Sequence, residues 1–220
     1  WDQFGKVLKE GLYEDFENRE KIADITRVYS FKYDRLINLN SYIDEMGEKQ
    51  DRIYYLAADT LKQAQSSPHL EGFKAKGIDV LLMTDPIDAF WMSQMGIYKD
   101  KSFLSISRDK YNLSALSDED EHVEGKADDE AKNAITALIK DCIGDLVEDV
   151  KSTSELVESP VRLAAGEGGL DFNLERIMKA QNPQFESSSK ILEVNCNHEL
   201  VKKLPFLSSE LQKAISRMLF

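Results

Sequence analysis

The chain has 220 residues, of which 40 are acidic and 28 basic, for a formal net charge of -12. That balance opposes binding to phosphate backbones or anionic membrane surfaces, both of which need clustered Lys and Arg. No apolar run approaches the roughly 20 residues of a membrane helix. The apolar fraction of 42% is ordinary for a globular protein, and the length allows one large domain or two small ones. Cys142 and Cys196 are the two cysteines. So few point to free thiols and a cytoplasmic setting, with Cys142 buried on a helix face. The chain opens on Trp1 inside amphipathic sequence, which reads as a piece of a longer protein.

Residues 1–36 read as mainly helical. Phe4, Val7 and Leu8 share a face, and Gly11 can end that helix. Asn18 begins a second helix carrying Ile22, Ile25 and Val28, and 29–39 gives no clear signal. From 39 to 110 helix and strand alternate. Ser41 and Asp44 approximate a capping box, and Ile53 to Ala57 form a strand. Leu61 and Ala64 lie on a short helix that Pro68 interrupts. Leu70 and Phe73 start another, which Gly77 ends. The run KGIDVLLMTDPIDAF (76–90) is the most informative. Residues 78–83 are apolar and β-favouring, as in a strand buried on both faces. Asp85 can cap the following helix and Pro86 suits its first turn. A short parallel sheet with helices on its faces is the economical arrangement.

Residues 118–130, DEDEHVEGKADDE, hold eight acids against one lysine and read as a solvated linker. Ala131, Ala134, Ile135, Leu138, Ile139 and Cys142 then keep helical spacing, and Gly144 stops them. Strands are expected at 147–153, 161–165 and 190–195, with helices at 171–181, 198–204 and 208–219. This half is α+β.

No active site is encoded in a recognisable form. GEGG (166–169) lacks the spacing and the Lys-Ser/Thr of a phosphate loop. His69, His122 and His198 are too far apart for ligand spacing, and no GxSxG presents a serine. The expectation is no catalytic residue and no metal. The apolar stripe Leu170, Leu174, Ile177 and Met178, bordered by Asp171, Glu175, Arg176 and Lys179, reads by itself as a helix packed on its own sheet.

LKEGLYED (8–15), NREKIAD (18–24), IYYLAADT (53–60), SSPHLE (66–71), ERIMKAQ (175–181) and ILEVNCNHELVKKL (191–204) stand in one order with the run at 76–90. Together they resemble the heat-shock-protein-90 chaperones, in the bacterial HtpG-like branch. The resemblance implies the C-terminal part of the middle domain plus the C-terminal domain, with the nucleotide-binding domain upstream. The fold it implies is α/β plus α+β: a helical segment (1–38), a small α/β sandwich (39–116), an acidic linker (117–128) and an α+β dimerisation domain (129–220). It implies an ATP-dependent chaperone that is cytoplasmic and homodimeric and binds partly unfolded client proteins. This portion would hold no cofactor, while ATP and magnesium would serve the whole protein. Client-contact positions carried over are Leu170, Leu174, Ile177 and Met178, on a helix that projects between subunits. Phe90 is another, standing where relatives carry tryptophan, with Ala89 replacing an acid. Dimerisation positions are Leu211, Ile215, Met218 and Leu219. The rival reading is a purely structural scaffold that contacts no client.

Overall fold

The run 78–83 does become a buried strand, but a short one. β4 covers Leu81–Met83 and all three residues are buried. In the computed structural model, which describes residues 1–108, 113, 116, 126–166, 169–182 and 184–220 apart from the side chains of Ser93 and 126–128, Asp79 occupies the chain just before it. The Asp79 carboxylate accepts from Ser30 Oγ at 2.6 Å, Lys32 N at 2.9 Å and Val80 N at 2.8 Å. These bonds satisfy local N–H groups outside the sheet ladder. Burial pushes the Asp79 pKa up, and the three donors only partly oppose it.

β4 lies inside a six-stranded sheet of order β2-β1-β4-β3-β6-β5. The strands are β1 (Arg27–Ser30), β2 (Arg35–Asn38), β3 (Arg52–Ala57), β5 (Ile97–Tyr98) and β6 (Lys101–Ser105). β3 runs parallel to β4 and β6, and every other pairing is antiparallel. The sheet is therefore mixed, with a parallel centre between two hairpins, rather than wholly parallel. β1 and β2 fall where helix or no clear structure was expected, and Val28 belongs to β1. Strands of four residues carry too little alternation to outweigh a nearby helical pattern.

Two helices precede the sheet: α1 (Gly5–Glu14) and α2 (Arg19–Ile25). Gly11 does not end α1 but sits within it. A Cβ there would lie 2.8 Å from Ile22 Cδ1, so its smallness lets α2 approach. Phe4 and Val7 are 72% and 60% exposed, and α1 buries Gly5, Lys9 and Leu12 instead. α3 (Leu39–Asp44) is capped by Asn38, whose side chain accepts from Ser41 N at 2.7 Å, not by a Ser41–Asp44 box. α4 (Leu61–Gln65) and α5 (Glu71–Ala75) follow, and Gly77 ends the latter at φ +66°.

α6 spans Asp88–Met95, and its start departs from expectation. Asp85 does not cap it. Asp88 instead accepts from Asp85 N at 3.1 Å, and the Asp85 carboxylate turns to Lys9. Lys9 Nζ donates to Asp85 Oδ2 at 2.8 Å and stands 2.9 Å from Asp88 Oδ1. Trp91 Nε1 donates to the same Asp88 oxygen at 2.8 Å. Lys9, Asp88 and Trp91 are all buried. Burial pushes the Asp88 pKa up, against Lys9 and the indole N–H. Burial also lifts Asp85, but Lys9 and Lys6 outweigh it and hold that carboxyl below the usual range. Around this centre Leu12, Ile53, Leu81, Met83 and Trp91 form one apolar core.

The remaining helices are α7 (Lys126–Ile143), α8 (Phe172–Gln181), α9 (Glu199–Lys203) and α10 (Ser209–Leu219). A three-stranded sheet of order β7-β9-β8 is built from β7 (Asp149–Ser152), β8 (Val161–Ala165) and β9 (Lys190–Val194). Of the linker read over 117–128, residues 117–125 and with them His122 lie outside the described residues. Residues 126–130 are helical, since acids are favoured in the first turns of a helix. Gly144 ends α7 at φ +60°. Ile135, Ile139, Val150, Leu192, Val194 and Val201 form a second core. Arg162, also buried, pairs with Glu193 and Glu155. Both cysteines are free: Cys196 is buried, whereas Cys142 is only half-buried. By its contacts the chain divides into two compact units, Trp1–Ile106 with Asp171–Glu186, and Ser107–Leu170 with Ser187–Phe220.

Replacing Lys9 with Met should cost about 3–5 kcal/mol at neutral pH, because it takes the buried cation from Asp88 and half-buried Asp85, leaving Asp88 with uncharged donors and Asp85 with exposed Lys6. The sign with pH follows from Asp85. Its folded pKa is depressed, so its contribution is present above the unfolded value and lost as pH falls through the folded one. The gap between wild type and Lys9→Met should therefore narrow towards about pH 4, where unpaired carboxyls protonate. Urea unfolding at both pH values measures it.

Lys99 and Asp100 make the two-residue turn between β5 and β6 with φ of 47° and 63°. Both lie in the left-handed region that glycine adopts without strain. Asp100→Gly should raise unfolding stability by about 0.5–1 kcal/mol, read from the same urea curves.

Candidate functional site

α8 is an amphipathic helix, and the first unit positions it. Asp171 caps the helix by accepting from Asn173 N at 2.9 Å. The same residue accepts a hydrogen bond from Ser105 Oγ, at the end of β6. One turn on, Arg176 pairs with Asp59, just past the end of β3. α8 lies against α6. Leu174, Ile177 and Met178 are half-buried. Glu175, expected on the polar face, is the buried residue of the helix, 3.1 Å from Lys179 Nζ. The helix therefore does not project free of the chain, because polar pins and a half-covered stripe hold it to the first unit.

Phe90 sits on α6, half-buried, with its ring edge-on to Tyr13 at 6.1 Å and 71°. Its neighbour Trp91 is wholly buried. The helices that carry Phe90 and Leu174–Met178 are thus brought together. Leu170 falls in the second unit, where its N–H donates to Ser188 Oγ at 3.1 Å. Asp59 and Ser105 were not legible as partners of α8, since more than sixty residues separate each from it and no local spacing links them.

The stripe read on α10 splits in two. Ile215 and Leu219 pack on the second core, and α10 lies along α7. Leu211 and Met218 face outward, 51% and 84% exposed. Within the second unit α10 packs mainly on α7 and on the turn at Leu204–Phe206. Changing Ile215 and Leu219 to Asp should destabilise the second unit, since both half-buried side chains pack on its apolar core, where a charge is costly. Changing Leu211 and Met218 to Ser should leave its melting temperature within about 2 °C. Thermal denaturation followed by circular dichroism separates the pairs.

The helix start after the glycine-rich turn is capped by Asp171, whose charge repels phosphate. Glu167 and Gly168 of that turn lie outside the described residues. Among the described residues no three His, Cys, Asp or Glu side chains gather to hold a metal ion. A cleft of about 540 Å³ in the second unit is lined by Lys140, Glu148 and Lys190 among others. Its Lys140 ammonium is already committed to the carbonyls of Gly144 and Val147 at 2.9 and 2.6 Å. No described helix is long and apolar enough to cross a membrane.

Residues 1–216 match the Hsp90 protein family. Among curated relatives, the chaperone protein HtpG of Chromobacterium violaceum is 41% identical over 213 residues, covering 96% of this chain and 34% of the relative. HtpG of Paramagnetospirillum magneticum is 41% identical over 207 residues, 93% of this chain and 33% of the relative. HtpG of Nitrosomonas eutropha is 40% identical over 209 residues, 94% and 33% respectively. The chain thus spans about a third of the length of these relatives.

Proposed function

The chain belongs to the Hsp90 family, and from that premise we propose that it is the client-binding and dimerising portion of an ATP-dependent molecular chaperone. It corresponds to the C-terminal part of the middle domain and the C-terminal domain. In this reading nucleotide and magnesium are bound by other parts of the whole protein, and the chain itself is no enzyme. The whole protein acts in the bacterial cytoplasm as a homodimer.

The observation that carries the reading is the pairing of α6 with α8. Phe90 stands beside a helix whose Leu174, Ile177 and Met178 are neither buried nor fully exposed. Flexible aliphatic and thioether groups repack around different partners, as binding to many unfolded sequences requires. A net charge of -12 keeps such a surface soluble and favours basic client segments. The outward pair Leu211 and Met218 supports the dimer. Two exposed apolar residues one heptad apart on this helix suit a two-fold contact in which the same patch meets its copy.

Replacing Leu174 and Met178 together with Ser should weaken binding of a permanently unfolded probe protein by at least tenfold. Burial of such side chains at an interface is worth about 1–3 kcal/mol each. Fluorescence anisotropy of the labelled probe, read beside the melting temperature, is the test. Collapse of the melting temperature with unchanged affinity would favour the scaffold reading, with the stripe as ordinary core.

A further inference from the structure

The two pins on α8 come from one place in the sheet. Asp59 lies just past the C-terminal end of β3, and Ser105 is the last residue of β6. These strands are parallel neighbours, with Tyr55 opposite Ser105. β4 lies on the other side of β3. The chain therefore leaves β3 for β4 on one side and returns through α6 and β5 to β6 on the other. That reversal is a topological switch point, and open α/β sheets leave a crevice for ligands there, outside the carboxyl ends of the strands. In this protein α8 is tied to both strand ends that border it.

The attachment is built to be reversible. The Arg176–Asp59 pair is largely solvated, with side chains 60% and 47% exposed, so water and salt weaken it. Asp171 serves twice, as cap of its own helix and as acceptor for the buried Ser105 hydroxyl. The apolar side chains are only half-covered. A helix of ten residues is marginal alone and depends on what it docks against. Residues 185–189 after it form no helix or strand, and Gly166 and Gly169 precede it, so it can leave without unravelling either sheet.

We propose that α8 is a displaceable plug: docked through Ser105–Asp171 and Arg176–Asp59, it covers the switch-point crevice and part of its own apolar stripe. Its release uncovers both for an amphipathic segment of an unfolded protein. This regulates the site described under the proposed function and rests on that reading.

The test uses this chain with Ser105→Ala and Asp59→Ala combined, positions outside the apolar stripe. Hydrogen exchange of the α8 amides should accelerate about tenfold, as expected for losing one buried hydrogen bond and one exposed ion pair. Binding of the unfolded probe should tighten several-fold. Asp59→Arg alone should also accelerate exchange, and adding Arg176→Asp, which restores the pair with its charges reversed, should slow it again. Exchange unchanged in the Ser105→Ala/Asp59→Ala variant, or no rescue by the reversed pair, would overturn the plug. Faster exchange with unchanged probe affinity would support the plug and overturn the client reading of the stripe instead.

Discussion

Lys9 is the point on which the first unit turns. Its ammonium is buried between Asp85 and Asp88, and Asp88 also receives the Trp91 indole. One cation thereby joins α1 to the start of α6, across more than seventy residues of chain. A buried charge must be paired and hydrogen-bonded, so only one arrangement of these elements satisfies it. Trp91 is held inward by the same carboxylate, and its neighbour Phe90 stays half-buried beside Tyr13. The direction of α6, and hence the face it offers α8, follows from that network.

The sheet adds a second constraint. Its central strands are parallel, with β4 buried throughout, and the hairpins at either side close the edges with short strands. Short edges offer few free backbone groups to other chains. The parallel centre also creates the reversal between β3 and β6. The polar groups that receive α8 belong to the ends of those two strands, so topology, rather than any local motif, decides where the amphipathic helix rests.

In the second unit the division of labour lies within single helices. α10 gives one pair of apolar residues to its own core and turns another pair outward. The inward pair makes the helix a structural part of the unit, and the outward pair stays exposed. Arg162 holds Glu155 and Glu193 in the adjoining sheet, where an unpaired guanidinium would be costly.

Much of this was legible from the residues alone. The strands at 53–57 and 161–165, the long helix ahead of Gly144 and the amphipathic helix after Asp171 all appear where pattern and turn chemistry place them, because each is decided by neighbours a few residues away. Resemblance in ordered motifs reached the family for the same reason. What only the tertiary structure decided is where distant groups meet. Gly11 looks like a helix stop until Ile22 is seen against it, and Asp85 looks like a cap until Lys9 claims it. The β1–β2 hairpin gains its ladder from β4, fifty residues on. Glu175 is polar by sequence yet buried, and α8 is held by Asp59 and Ser105. Ion pairs and hydrogen bonds between residues far apart leave no periodicity in the chain, since their geometry exists only after the backbone has brought them within 3 Å or so.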